Sequence, residues 1–245
     1  MFASHASAAA HERHRSRFFV AMSVVLLLIV LTGFSRSFYL RAFFDVPPIP
    51  VHVYAHGAIL TGWFVWFFLQ TSLVAAGRSD LHRKLGVAGA FIGLAVILAN
   101  VMVLAGMGPR LRVSFQEVDP EFLIRAVWGD VGNTVEFAVF LSTALWFRRR
   151  PELHKRLMYL ASLSIVGQAL GRIALWPVFD DVRKGIGIGA LVFFLGALVA
   201  YDLVTAKRLS PATLYGGMLR VLGWIGVTAL AASEAGEAVV RRMAA

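Results

Sequence analysis

Residues 85–107 read LGVAGAFIGLAVILANVMVLAGM, a run that contains no charged side chain. A bilayer core is spanned by a helix of about 20 apolar residues, because in hydrocarbon the backbone must satisfy its hydrogen bonds within the helix. The stretch therefore predicts a transmembrane helix. Its one strongly polar residue, Asn100, stands near the carboxyl end of the run.

Six further apolar blocks occur in the chain, of which 58% is hydrophobic and only 16% charged. Together the blocks predict an all-α integral membrane protein with seven transmembrane helices, which we number 1 to 7. We expect a single membrane domain over 18–232, between a basic tail at 1–17 and a short tail at 233–245. The predicted helices are Phe18–Phe34, Val51–Ala76, Leu85–Met107, Val131–Phe147, Leu157–Trp176, Gly185–Ala206 and Leu214–Ala232.

The first block follows a positively charged segment, as the apolar part of a signal peptide does. However, the apolar stretch runs on through Leu31 and resumes at Phe38 without a clear small-residue cleavage site. We therefore expect a retained transmembrane helix.

Basic residues concentrate at alternate connections: in the amino-terminal tail and around 78–84, 148–156 and 207–208. The positive-inside rule then predicts a cytoplasmic amino terminus and a carboxyl terminus on the outer side of the membrane. A basic face toward anionic lipid headgroups accounts for the net charge of +10, so the expected partner is the lipid bilayer and not nucleic acid. The absence of cysteine excludes disulfides and thiolate metal sites.

One short phrase occurs twice, 72 residues apart. The copies are Arg78-Ser-Asp-Leu-His-Arg-Lys-Leu85 and Arg150-Pro-Glu-Leu-His-Lys-Arg-Leu157. Each lies at a charged turn between apolar blocks. The internal repeat thus predicts two membrane hairpins that carry a histidine at matching points, His82 and His154.

The repeat histidines fall in the first turns of helices 3 and 5, after acidic residues that suit the positive end of a helix dipole. That dipole disfavours a charged imidazolium, so we expect neutral rings, the form that binds metals. If helices 3 and 5 face each other in a four-helix core (helices 2–5, residues 51–176), His82 and His154 are placed as axial ligands of a haem b. The alternative is ordinary interfacial histidines in a duplicated hairpin. The basic neighbours that suit haem propionates are Arg83, Lys84, Lys155 and Arg156.

Polar residues inside the predicted helices gather toward the outer side, within about 12 Å of the boundary. Such residues usually face the bundle interior or a water-filled cavity. They predict a ligand pocket for an ion, a quinone headgroup or a cofactor edge. Glu136 and Arg172 fall at similar depth on consecutive helices, and we expect them to form an ion pair. The alternative to a ligand pocket is that this pair only locks the two helices together. The predicted pocket residues are His56, Asn100, Asn133, Glu136, Gln168 and Arg172.

His52 and His56 are four residues apart and share one helix face. With Glu136 they would form a metal site of two histidines and one carboxylate. His52 lies barely inside helix 2, where an interfacial histidine needs no function, so this metal hypothesis is the weaker one.

Two regions outside this core carry further predictions. Residues 108–129 alternate charged and aromatic side chains, which predicts a short interfacial helix over the outer cluster. Asp202 lies near the inner end of helix 6, and we expect it to pair with Lys207 or Arg208.

Several phrases resemble a widespread group of uncharacterised bacterial multi-pass membrane proteins, across helices 2 to 5. This resemblance implies a location in the inner (plasma) membrane of a bacterium and no particular activity. The phrases are His56-Gly57, Gln70, Gly77-Arg78, Leu81-His-Arg-Lys-Leu-Gly86 and Arg149-Arg-Pro-Glu-Leu-His-Lys-Arg-Leu-Met158.

The topology is more distantly similar to the dihaem cytochromes b of the transmembrane ascorbate ferrireductase type. The resemblance implies that His82 and His154 match the cytoplasmic-side pair of haem ligands, and that His52 or His56 matches one outer ligand. Helix 4 departs from that pattern because it carries no histidine. At most one bis-histidine haem is therefore implied.

Three functions remain open at this point. The first is a redox or haem-binding membrane protein, with a quinone or another redox partner. The second is a transporter of an ion or small ligand that uses the outer pocket, and the third is an accessory subunit without catalytic activity. No catalytic residue or substrate is predicted, since the sequence shows no nucleophile triad or phosphate-binding loop.

Overall fold

The computed structural model describes residues 2–46, 48–117 and 119–245, and the side chains of all of these except 2–16, 117, 183 and 184. Pro47, four residues before the predicted helix 2, lies outside the described residues. So do the basic side chains predicted for the tail before residue 17.

The described chain is built from ten α-helices, and short π and 3₁₀ segments occupy some of the connections. Within the described ranges no β-strand occurs, as the long apolar runs predict. The helices are α1 (Phe2–Gly33), α2 (Val51–Ala75), α3 (Ser79–Ala105), α4 (Gly108–Glu117), α5 (Pro120–Trp146), α6 (Pro151–Ser164), α7 (Gly167–Ala174), α8 (Arg183–Ala206), α9 (Pro211–Ala231) and α10 (Glu234–Ala244).

Among the described residues five helical spans are long and apolar enough to cross a membrane, so the predicted all-α membrane class is confirmed. They are Val51–Ala75, Ser79–Ala105, Pro151–Ala174, Gly185–Ala206 and Pro211–Ala231. Two of the seven predicted helices are not among them. The apolar part of α1, Arg17–Gly33, is shorter, and α5 is less apolar because it contains Asp130, Asn133 and Glu136.

The helix predicted to begin at Val131 begins instead at Pro120. Its start is capped by Asp119, whose Oδ1 accepts the backbone N–H of Glu121 at 3.1 Å. Proline at the first helical position fits this start, since its missing N–H would have no partner there. The preceding predicted interfacial helix corresponds to α4 and is limited to Gly108–Glu117.

Both copies of the repeated phrase are helix starts with the same local geometry. The backbone N–H of His82 donates to Arg78 O, and that of His154 donates to Arg150 O, each at 3.0 Å. The rings of these two histidines are 6.3 Å apart, so the α2–α3 and α5–α6 turns lie at one end of the bundle, which we call the basic end. The starts of α2 and α5 lie at the opposite end.

The core is centred on α6, where nearly every residue from Arg156 to Val166 is buried. It also includes buried side chains of α1, such as Leu26, and of α8, such as Leu198. We expected a core of helices 2 to 5 with additions around it. The hydrophobic core instead extends to α1 and α8, because both bury apolar faces against it. A smaller apolar cluster of α4, α5 and α10 lies at the opposite end.

We expect Gly33→Ala to lower the free energy of unfolding by about 1–3 kcal/mol, the usual cost of overpacking. A methyl group at this position would lie 2.8 Å from the Cα of Ala169 and closer still to its carbonyl oxygen, so α1 and α7 would have to separate. Thermal unfolding of the purified protein in detergent measures the effect. Gly62→Ala is the control, because its methyl group meets nothing within 4 Å. Equal melting temperatures for the two variants would contradict the close helix crossing.

Candidate functional site

The two repeat histidines lie against each other at the basic end. The ring centres of His82 and His154 are 6.3 Å apart, and the ring planes make an angle of 70°. The rings extend from α3 and α6, and each residue is half-buried. The structure thus brings together the two side chains that the repeated phrase singled out.

The hydrogen bond of His154 determines which of its ring nitrogens is free. Its Nδ1 lies 2.9 Å from the carbonyl oxygen of Ala144 and must donate, because a carbonyl only accepts. This carbonyl belongs to the last turn of α5, where helical carbonyls have no N–H partner within the helix. A neutral His154 therefore keeps its lone pair on Nε2, which is how metal-binding histidines are commonly oriented.

Some buried polar atoms of α2 and α3 have no hydrogen-bond partner among the described residues. Among the described residues none bonds Nδ1 of His82, either amide atom of Gln70 or Nε1 of Trp66, and all four atoms are buried. The ring of His82 also lies beside the main-chain carbonyl of Gln70. We call Gln70, His82 and His154 the inner cluster.

At the opposite end a chain of hydrogen bonds joins three helices. Asn100 Nδ2 donates to Thr134 Oγ1 at 3.1 Å, and Thr134 Oγ1 donates to the carbonyl of Asp130 at 2.7 Å. Asn100 Oδ1 lies 2.8 Å from His56 Nε2 and accepts its hydrogen. The predicted pocket residues His56 and Asn100 are thus in contact, and they bond to each other and to Thr134.

The predicted ion pair between Glu136 and Arg172 is wrong. Glu136 Oε2 accepts from Arg220 Nη1 of α9 at 2.7 Å. Arg172 is exposed, interacts electrostatically with Asp130 and donates to Ser37 Oγ at 3.4 Å. Depth alone did not determine the partner, because Arg220 lies at a similar depth on a helix that packs beside α5.

The remaining predicted pocket residues lie around this end of the bundle. Asn133 Nδ2 is 3.5 Å from the position that a Cβ at Gly167 would occupy, and Gln168 follows in α7. His52 lies beside Gly106, where α3 ends. Within the described part of the chain no three His, Asp or Glu side chains gather as a metal site, and Glu136 is bound to Arg220 instead of joining His52 and His56.

A buried ion-pair network connects α6, α8 and the start of α9. Arg156 donates through Nε to Asp202 Oδ1 at 2.8 Å and through Nη1 to Glu152 Oε2 at 2.7 Å. The predicted pairing of Asp202 with Lys207 or Arg208 is therefore wrong. Arg156 is only 2% exposed and fully engaged, so it is not available to a haem propionate.

Sequence reasoning did not identify Arg220, Thr134 or Trp66. Arg220 had a clear signal, because it is the one charged residue in the predicted helix 7, where such a residue seeks a partner. Thr134 and Trp66 had none, since both residue types are ordinary in membrane helices. No family model, curated protein or solved structure matches the chain.

Proposed function

We propose that this protein is a redox membrane protein that holds one haem b between His82 and His154. The observation that carries the proposal is the pair of adjacent imidazoles, whose ring centres are 6.3 Å apart, and a neutral His154 keeps its Nε2 lone pair free. A metal–imidazole nitrogen bond is about 2.0 Å long, so two imidazoles this close could hold one metal ion between them.

The donor set fits a haem in charge as well as in spacing. His82 and His154 would hold the haem iron, and Arg83 and Lys84 are exposed beside His82, where they suit propionates. Lys155 is partly used, because it pairs with Glu152 at 2.8 Å. A haem supplies one-electron redox chemistry when bound. The protein's own part is to orient the imidazoles and to hold the group in low-dielectric surroundings.

The proposal includes the orientation and the number of spans. α1 and α5 would cross the bilayer together with the five apolar spans, and the basic end would face the cytoplasm of a bacterial inner membrane. The site then lies near the cytoplasmic boundary. An electron donor or acceptor on that side, or a quinone in the membrane, would be the redox partner.

The arrangement at the opposite end gives less support to a transporter. His56, Asn100 and Thr134 bond to one another, and Glu136 bonds to Arg220, of which only Nε lacks a partner among the described residues. Most of these polar groups are therefore not available to a transported substrate.

The test is the absorption spectrum of protein purified in detergent and titrated with haem. We expect one haem per chain, with the Soret band of a low-spin bis-histidine complex. His82→Ala and His154→Ala should each abolish that spectrum. His56→Ala is the matched control and should retain it, because His56 lies at the other end of α2. A wild-type protein that takes up no haem, or a spectrum unchanged in both alanine variants, would overturn the proposal.

A further inference from the structure

An apolar groove of about 390 Å³ lies between α8 and α9, a volume within the range of about 300–1,000 Å³ that small-molecule sites have. The two helices are consecutive in the chain, but α8 buries Phe194 and Leu198 in the main core, whereas α9 packs against α5 and α6. The groove is left between them. Its lining comes from both helices and their connection and includes Leu195, Val199, Leu209, Leu214, Met218 and Leu222.

The groove has the polarity and the length that suit the acyl chain of a lipid. Among the described residues that line it, Thr213 has the one polar side chain, and its hydroxyl donates to Asp202 at 2.6 Å. Along α9 the lining runs from Thr213 to Leu222. That distance is about 14 Å at 1.5 Å per residue. A hydrocarbon core is about 30 Å thick, so the groove has about the depth of one leaflet.

Two basic residues lie at the end of the groove where the helices connect. Lys207 and Arg208 are exposed, directly before Leu209 of the lining, and neither forms an ion pair with the described residues. This connection lies at the basic end, because Asp202 beside it binds Arg156 at the start of α6. A lipid whose acyl chain lies in the groove would therefore have its headgroup next to two unpaired cations.

We propose that the groove between α8 and α9 binds one anionic phospholipid of the leaflet at the basic end, with an acyl chain along the groove and the headgroup phosphate on Lys207 and Arg208. Basic pockets between membrane helices bind anionic headgroups in this way. Two copies of the chain inserted in one direction would place the same cations at the same level, so an anionic lipid fits this end of the groove better than a second copy. The site does not depend on the proposed haem between α3 and α6.

Gly217→Leu tests the part of the site that holds the acyl chain. Gly217 lines the groove, and a Cβ there meets nothing within 4 Å, so leucine fills the groove without a clash. Gly226→Leu is the matched control on the same helix, because its Cβ also meets nothing but lies outside the lining. The full chain is stripped of lipid in detergent, and native mass spectrometry measures how much phosphatidylglycerol it binds again. We expect one tightly bound molecule for wild type and Gly226→Leu, and none for Gly217→Leu.

The double variant Lys207→Gly with Arg208→Gln tests the headgroup part. Lys207 has a left-handed backbone, with φ at 55°, which glycine adopts at less cost, so the turn is retained. The affinity for phosphatidylglycerol should fall by about 10- to 30-fold, since each basic residue near a membrane surface contributes roughly 1 kcal/mol. Phosphatidylcholine has no net charge, and its binding should change little. Arg148→Gln with Arg149→Gln is the control, because it removes two exposed cations from another connection at the basic end.

Three results would overturn the proposal. The first is equal binding of phosphatidylglycerol by Gly217→Leu and Gly226→Leu, and the second is an unchanged affinity in the Lys207 and Arg208 double variant. The third is a wild-type dimer in detergent that Gly217→Leu converts to a monomer, which would assign the groove to a second copy of the chain.

Discussion

Asp202→Ala is expected to lower the free energy of unfolding by about 3–5 kcal/mol, the usual cost of breaking a buried ion pair from one side. Asp202 is fully buried. Its Oδ1 accepts from Arg156, and its Oδ2 accepts from the Ser210 backbone N–H at 2.8 Å and from Thr213 Oγ1 at 2.6 Å. Alanine would leave the guanidinium with only Glu152, and it would release the connection between α8 and α9.

Thermal unfolding in detergent and chemical denaturation measure this loss. Asp80→Ala is the control, because Asp80 is exposed and its ion pair with Arg78 is long, at 3.8 Å. Its removal should therefore cost less than about 1 kcal/mol. The double variant Asp202→Leu with Arg156→Met should be more stable than Asp202→Ala, since neither charge then remains buried alone. An Asp202→Ala protein as stable as Asp80→Ala would show that the network does not hold these helices.

Arg220→Met should have the second-largest effect, because it leaves Glu136 without its cation inside the apolar part of the fold. The side chains of Arg220 and Glu136 are 11% and 8% exposed, and their atoms meet at 2.7 Å. We expect a loss of about 3 kcal/mol, at the low end for a buried pair, because an unpaired carboxylate gains a proton instead of remaining charged.

A second variant tests whether the unpaired charge of Glu136 causes that loss of stability. Adding Glu136→Gln to Arg220→Met should recover part of the stability, since an amide is neutral without taking up a proton. Arg125→Met is the control: it removes the partner of Glu121 in an exposed pair on the same helix, α5, and should change the melting temperature little. A double variant less stable than Arg220→Met alone would contradict a charge-based effect.

Hydrophobic pattern predicted the class of this fold well, because a bilayer-length apolar run admits few structures. Residues 85–107 lie almost wholly within α3, and the repeated phrase identified the starts of α3 and α6. It also placed His82 and His154 at one level of the bundle. The length of an apolar run and the residues that begin a helix are local properties of the sequence, so the sequence was sufficient to predict these features.

Lateral packing could not be predicted in the same way. Depth put Glu136 level with Arg172, but the partner came from α9, and Asp202 bonded to Arg156 instead of its neighbours in sequence. The partners of side chains around the bundle axis depend on which helices pack together, and no residue pattern in one sequence determines that packing. The haem assignment stays a prediction, because two adjacent histidines do not by themselves identify the group that they bind.

The Glu136–Arg220 pair has a consequence for biogenesis. Glu136 precedes its partner by 84 residues, so during synthesis α5 leaves the ribosome long before α9 exists. An acidic residue in the middle of an inserting helix costs roughly 2.5–3.5 kcal/mol at the translocon. If α5 crosses the bilayer as proposed, the apolar helices beside it would have to retain it until translation of α9 delivers the matching cation, and stable insertion of the middle of the chain would then require its carboxyl-terminal third.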